Sequence, residues 1–281
     1  MDIANLTAAP QATLWNGLAG QGWVAAQALL DRMFQPLETL LVDAVAAGSG
    51  GRVLDVGCGT GGITRALAAR LGADSCCVGI DISEPMIAAA RATTERVGGQ
   101  SRYIVADAQR HGFQAASYDR IVSRFGVMFF DDPVQAFANL RQAACDGAEL
   151  HVLAWRSPAE NPFMTAAERA AAPLLPGLPS YEPEAPGQFA FADAARVRRI
   201  LELSGWVDID IRAIDVPCRF PEPDLIPYLS QLGPVGRALQ QVDAATRSRV
   251  LAKVRSAFDA YVQGTEVRYD AACWSVVAKA G

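Results

Sequence analysis

Histidine is nearly absent: His111 and His151 are the only two in 281 residues. The six cysteines, Cys58, Cys76, Cys77, Cys145, Cys218 and Cys273, include no C-x-x-C pair. A zinc site normally draws on such residues at short spacing, so no metal is expected and the cysteines read as reduced core residues. No uninterrupted apolar run reaches the ~20 residues of a membrane-spanning helix. The first residues, MDIANLTAAPQ, lack the basic-then-apolar order of a secretion signal. A soluble, cytoplasmic chain with no membrane partner is expected. An excess of basic residues is missing too: 25 Lys and Arg stand against 30 Asp and Glu, a net charge of −5. Binding to a phosphate backbone needs a basic face, so no nucleic-acid partner is expected and a small molecule is the expected ligand.

What is present is ample apolar sequence, 51% of the chain, arranged as strands alternating with helices. The stretch RVLDVGCGTGGITRALAARLG, residues 52–72, runs from a short apolar strand through four crowded glycines into a helix carrying Ile63, Leu67 and Leu71 at helical spacing. CCVGIDIS is a second strand, and Ser83 is placed to cap the helix EPMIAAARATTERVG. SRYIVADA, YDRIVSRFGV and GAELHVLAWR follow as strands three to five, with VQAFANLRQAAC as a helix between the last two. This alternation predicts a mostly parallel sheet with helices on both faces. The tail departs from it. WVDIDIRAIDVPCRF puts Val207, Ile209 and Ile211 on one face of a half-exposed strand, TEVRYDAACWSVVAKA reads as a last strand, and the long segment between them is helical in pattern.

The glycine turn has a physical meaning of its own. Gly57, Gly59 and Gly61 allow backbone dihedrals closed to other residues and a close approach of a ligand, beside the free amides of a helix N-terminus. Gly57, Gly59 and Gly62 also satisfy G-x-G-x-x-G, with Asp81 near the spacing of a ribose carboxylate, so a dinucleotide (NAD) oxidoreductase shares the pattern.

LDVGCGTGG followed by GIDIS and VADAQ, over about residues 54–155, resembles the class I S-adenosylmethionine-dependent methyltransferases, in particular bacterial small-molecule enzymes. The resemblance implies an α/β fold: a Rossmann-like, seven-stranded, mostly parallel sheet whose last strand is antiparallel, with helices on both faces and a helical lid. It divides a single domain into an N-terminal helical cover (1–35), a cofactor-binding core (36–220 and 265–281) and a lid insertion (221–264). It implies S-adenosylmethionine (SAM) as cofactor, with its carboxylate near the amides after the glycines and its ammonium near Asp55. Asp81, with Ile82 beside it, would take the ribose hydroxyls, and Asp107 and the Ala108 amide the adenine. Met86 and Ser123 are further cofactor candidates, and Trp23 in the N-terminal cover is another.

Acceptor-pocket candidates are Trp15, Arg124, Phe129, Trp155, Asn161 and Phe189, with Arg156, Phe163, Tyr181 and Phe191 in the same proline-rich region after strand five. His111 is the candidate general base; His151 reads as core. The expected reaction is in-line methyl transfer to an oxygen, nitrogen or carbon nucleophile of a small metabolite. A SAM-dependent cyclase and a non-catalytic SAM-binding protein remain alternatives. The chain is read as a monomer or homodimer.

Overall fold

Leu54, Val56, Ile80, Ile121 and Leu150 are apolar residues of four strands that lie side by side in the sheet, and all are buried. In the computed structural model, which describes residues 11–46, 51–73, 75–179 and 181–281, these strands are β1 (Arg52–Val56), β2 (Cys76–Asp81), β4 (Tyr118–Arg124) and β5 (Ala144–Trp155). With β3 (Arg102–Val105), β6 (Trp206–Pro221) and β8 (Glu266–Ala280) they form one sheet in the order β3-β2-β1-β4-β5-β8-β6, and the short β7 (Val262–Gln263) pairs with β8. The first five strands pair in parallel, whereas β8 runs antiparallel to both β5 and β6. Consecutive residues Val53 to Val56 of β1 and Ile121 to Ser123 of β4 are buried, which requires cover on both sheet faces.

That cover comes from helices. α4 (Gln35–Ala46) packs beside α5 (Gly62–Leu71), and α7 (Pro133–Ala143) beside α9 (Ala194–Leu203). α6 (Glu84–Arg96) begins as its sequence predicts, with the Ser83 hydroxyl accepting from the Met86 amide and Pro85 in the first turn. Upstream lie α1 (Gln11–Asn16), α2 (Leu18–Ala25) and α3 (Gln27–Met33). The first ten residues of the expected cover lie outside the described residues.

Two expectations need correction, and one element is unforeseen. The proline-rich stretch after β5 contains a helix, α8 (Pro162–Ala171), because Pro162 sits in the first turn, where its missing amide costs nothing. The helix after β4 ends at Ala143 rather than at Cys145, and Ala144 already pairs with Tyr118 in the sheet. Val207 is exposed and does not share a face with Ile209 and Ile211: the β6 register shifts between Val207 and Asp210, where Asp208 has φ +51°, and a bulge reverses the alternation. Between β6 and β8 the expected helical segment is three helices, α10 (Leu225–Gln231), α11 (Gly233–Leu239) and α12 (Ala244–Ser256).

Candidate active site

A cleft of about 1050 Å³ opens at the carboxyl ends of β1, β2 and β4, the place where open α/β sheets bind ligands. Its floor is the turn after β1. Gly57, Cys58, Gly59, Thr60 and Gly62 line it, together with Asp55, Asp81, Ile82, Met86, Asp107 and Ala108. The predicted cofactor residues are thereby gathered, with two exceptions. Gly61 is absent from the lining; a Cβ there would fall 2.6 Å from the Tyr103 hydroxyl, so that glycine makes room for a side chain of β3. Ser123 is also absent, because its hydroxyl donates to the Val56 carbonyl (2.8 Å) and accepts from the Gly126 amide (3.1 Å), tying β4 to β1.

The two key carboxylates already have protein partners. Asp81 accepts from the Gly59 amide (2.8 Å) and the Ser83 amide (2.9 Å), so it fixes the glycine turn against the end of β2 while lone pairs remain for a ligand. Asp55 accepts from the Thr64 hydroxyl at 2.6 Å. Burial pushes Asp55 up to about 6 against the weaker pull of that hydrogen bond, and burial raises Asp81 as well. Asp107 accepts from the Gln109 amide at 2.9 Å.

Asp31 and Glu38, two carboxylates from α3 and α4, flank Gly62 at the start of α5: a Cβ on Gly62 would lie 3.3 Å from Glu38 Oε2 and 3.6 Å from Asp31 Oδ1. Burial raises both carboxyls. Facing them, Arg124 has Nη1 3.9 Å from Glu38 Oε2 and its guanidinium 5.5 Å from the Phe34 ring centroid. That Nη1 is buried and has no hydrogen-bond partner among the described residues, and burial lowers the Arg124 pKa. Two acids thus stand beside the α5 amides, where the resemblance implies a ligand carboxylate. A ligand carboxylate there would meet like charge, whereas an ammonium suits the acids and a carboxylate suits Arg124.

Aromatic side chains roof the cleft. Trp15 packs edge-on against Trp23 (6.0 Å) and Phe129 (5.1 Å). α1 is tied down by the Ser83 hydroxyl donating to the Trp15 carbonyl (2.6 Å), by Asn16 donating to the Ile82 carbonyl (3.0 Å) and by the Glu84 amide donating to Asn16 Oδ1 (2.8 Å). Trp155 and Phe189 also line the cleft, with Trp155 stacked on Phe125 at 4.4 Å. Phe125 holds φ +66°, a strained conformation for an aromatic residue.

Other candidates fall outside. Asn161 is buried and bonded twice to Ala272, at 2.9 and 3.0 Å, which anchors α8 to β8. His111 does not line the cleft; its ring packs edge-on against Phe113 at 4.7 Å. Arg156 pairs with Glu160 and Asp215, and Phe163 stacks on Tyr269 at 4.0 Å. Phe191 packs on Phe137, while Tyr181 is part of the cleft. Asp31, Phe125, Glu168, Tyr228 and Arg237 line it without having been singled out in the sequence. An acid or a base on an otherwise apolar helical stretch was the only available signal.

Residues 53–147, from the second residue of β1 into the first residues of β5, match a sequence family described as a methyltransferase domain. This stretch is a methyltransferase domain. Its glycine turn, Asp81 and Asp107 are the motifs that carried the resemblance in the sequence. The chain is 40% identical over 106 residues to an aklanonic acid methyltransferase of a Streptomyces species (strain C5), covering 37% of this chain and 48% of the relative. It is 35% identical over 116 residues to a nocamycin O-methyltransferase of Saccharothrix syringae, covering 41% of each. The match thus spans less than half the length of either relative. Among solved structures, a SAM-dependent methyltransferase from Aquifex aeolicus matches 89% of this chain and 92% of its own with a TM-score of 0.52 at 16% identity, a likeness of fold. The chain has the class I fold, with the antiparallel strand β8 between β5 and β6, and SAM is the cofactor that the sequence resemblance implies. The cleft fits that cofactor: acids and an orphaned guanidinium nitrogen suit the amino-acid end, and Asp81 and Asp107 the nucleoside end. Among the described residues no helix is long and apolar enough to cross a membrane.

Proposed function

We propose that this chain transfers the methyl group of SAM to a nucleophile of a small metabolite. The observation that carries this reading is one continuous cleft that joins the glycine turn and its carboxylates to an apolar, aromatic region. At about 1050 Å³ it sits at the top of the range for a single drug-sized ligand, about 300–1,000 Å³, so it has room for cofactor and acceptor together.

In this reading Asp81 orients the ribose and Asp107 and Ala108 the adenine. Asp55, with Asp31 and Glu38, holds the ammonium, and Arg124 the carboxylate. Trp15, Trp23 and Phe129 exclude water and offer ring faces to a sulfonium. When bound, SAM supplies an electrophilic methyl group that is already activated, so holding the acceptor in line is the protein's main contribution. The helices α1 to α3 act as a cover, and α10 to α12, in the 221–264 insertion, as a lid over the acceptor.

The fold weighs against the NAD reading, since dinucleotide-binding sheets follow the order 3-2-1-4-5-6 without the antiparallel insertion seen here. The net charge of −5 supports an acceptor other than nucleic acid. A cytoplasmic monomer or homodimer completes the proposal. It is tested by incubating the chain with methyl-labelled SAM and a panel of phenolic, amine and carboxylic metabolites. Label entering a small molecule supports it; cofactor binding without any transfer across the panel would favour a non-catalytic SAM-binding protein.

A further inference from the structure

One pair of opposite charges in the cleft has no role in holding the cofactor. Glu168 of α8 and Arg237 of α11 both line it, and the two helices pack against each other. Elsewhere in the molecule such partners close: Arg255 lies 2.7 Å from Glu222, and Arg156 lies 2.9 Å from Asp215. Glu168 and Arg237 do not reach ion-pair distance, although each feels the other's charge. The Glu168 carboxylate makes no hydrogen bond among the described residues. The Nε of Arg237 is buried without a hydrogen-bond partner. An unpaired buried donor is costly, and Arg237 belongs to the cleft wall, where a ligand can supply an acceptor to its guanidinium.

Around the pair the wall is apolar. Met164 shares α8 with Glu168, and the Tyr228 hydroxyl of α10 points at its sulfur, 3.9 Å away. α2, which carries Trp23, packs so closely on the end of α10 that a Cβ on Gly22 would fall 2.6 Å from the Gln231 carbonyl. The pair is thus set among Met164, Tyr228 and the aromatic roof, and among the described residues Arg237 is the charged side chain that acts on Glu168.

We propose that Glu168 and Arg237 together bind the acidic hydroxyl of a flat, apolar acceptor, a phenol or enol, with Glu168 as its general base and Arg237 holding the oxygen. Resting on the methyl-transfer reading above, this assigns the acceptor class and two residues that touch it. A carboxylate beside a guanidinium matches an O–H group, which donates to the one and accepts from the other. A carboxylate acceptor would instead set its own charge against Glu168. Burial raises the Glu168 carboxyl above its ordinary range, which brings it closer to the working pH of a base. In the transfer, the acceptor O–H bond breaks and its proton passes to a Glu168 oxygen. The acceptor oxygen's electron pair forms the bond to the methyl carbon, and the old carbon–sulfur pair stays on sulfur, which leaves as a neutral thioether.

The test is equilibrium titration of the full chain, saturated with S-adenosylhomocysteine, with 2-naphthol, 2-methoxynaphthalene and 2-naphthoate. The wild type is expected to bind 2-naphthol at least about tenfold more tightly than its methyl ether, the worth of one charge-assisted hydrogen bond. Glu168→Gln should reduce that preference severalfold or more, and Arg237→Met should weaken naphthol and methyl ether alike, while both variants leave S-adenosylhomocysteine binding unchanged, which also shows that they fold. Equal binding of naphthol and its ether, no naphthol binding at all, a preference that survives Glu168→Gln, or ligand binding untouched by Arg237→Met would overturn the assignment. Tighter binding of 2-naphthoate than of 2-naphthol would overturn it in favour of a carboxylate acceptor. Failure of the wild type to bind S-adenosylhomocysteine would sink the underlying cofactor reading instead, so the two failures are separable.

Discussion

Gly57 and Gly126 meet backbone to backbone: a Cβ built on Gly57 would fall 2.5 Å from the Gly126 Cα, and one built on Gly126 would fall 2.7 Å from the Gly57 Cα. The turn after β1 and the turn after β4 can therefore lie side by side under the cleft only if both positions are bare. Gly59 is different. Its φ is +55°, but the nearest atom to an added Cβ is the Met86 methyl at 3.5 Å.

Substitution at these glycines should accordingly separate folding from binding. Gly57→Ala or Gly126→Ala forces backbone apart and should cost about 3 kcal/mol of stability or more. Gly59→Ala bears mainly left-handed strain, about 1–2 kcal/mol, while placing a methyl group at the cleft floor. Denaturant unfolding should rank the first two well below Gly59→Ala, and SAM titration should show the larger loss of affinity per unit of lost stability in Gly59→Ala.

Phe125 combines a left-handed backbone with a stacked ring, φ +66° and 4.4 Å to Trp155. Removing the ring costs roughly 3–5 kcal/mol in a core. Glycine, however, also relieves the backbone strain, and that relief exceeds its extra unfolded-state entropy by roughly 0.5–1 kcal/mol. Thermal unfolding should therefore place Phe125→Gly above Phe125→Ala, with both below wild type. The reverse order would mean that the strain at this position is not carried by the backbone.

For Asp55 the sign of the pH effect follows from burial. The carboxyl keeps its proton to about pH 6 in the folded chain, against an ordinary value of 3.8. Its ionisation thus removes stability as pH rises through that window, by an amount on the order of 3 kcal/mol. Asp55→Asn should flatten the fall in unfolding free energy between pH 4 and pH 6, leaving the contributions of Asp31, Glu38 and Asp81, which run in the same direction. An unchanged slope would place the titration elsewhere.

The cover over the cleft hangs on few bonds. Asn16 alone bridges the Ile82 carbonyl and the Glu84 amide, and such exposed bonds are worth about 1 kcal/mol each. Asn16→Ala should speed amide hydrogen exchange in residues 11–25 with little change in global stability. Exchange as slow as in the wild type would mean that the packing of Trp15 on Trp23 and Phe129, with the Ser83 bond to its carbonyl, holds the cover without Asn16.

Much of this architecture was readable along the chain, because apolar strands ending in glycine or aspartate and helices with Ser83-type caps are local signals. Asp55, Asp81 and Asp107 were readable for the same reason: each ends or follows a strand that the local pattern identifies. Ser123 and Asn161 misled because a buried polar side chain bonded to a distant backbone looks, in sequence, like one facing a ligand. The meeting of Gly57 with Gly126, the acids brought to Gly62 by α3 and α4, and the placing of Glu168 and Arg237 in one cleft wall depend on elements far apart in the chain. No local pattern encodes them. Val207 shows the remaining gap, since one bulge at Asp208 reverses a face that alternation alone assigns.

The most direct test of the account is calorimetric titration of the purified chain with SAM and, separately, with NAD. Asp107→Ala serves as the control because Asp81 also holds the glycine turn. Saturable binding of SAM, weakened in the variant, with no binding of NAD, is the predicted result; binding of NAD without SAM would contradict it.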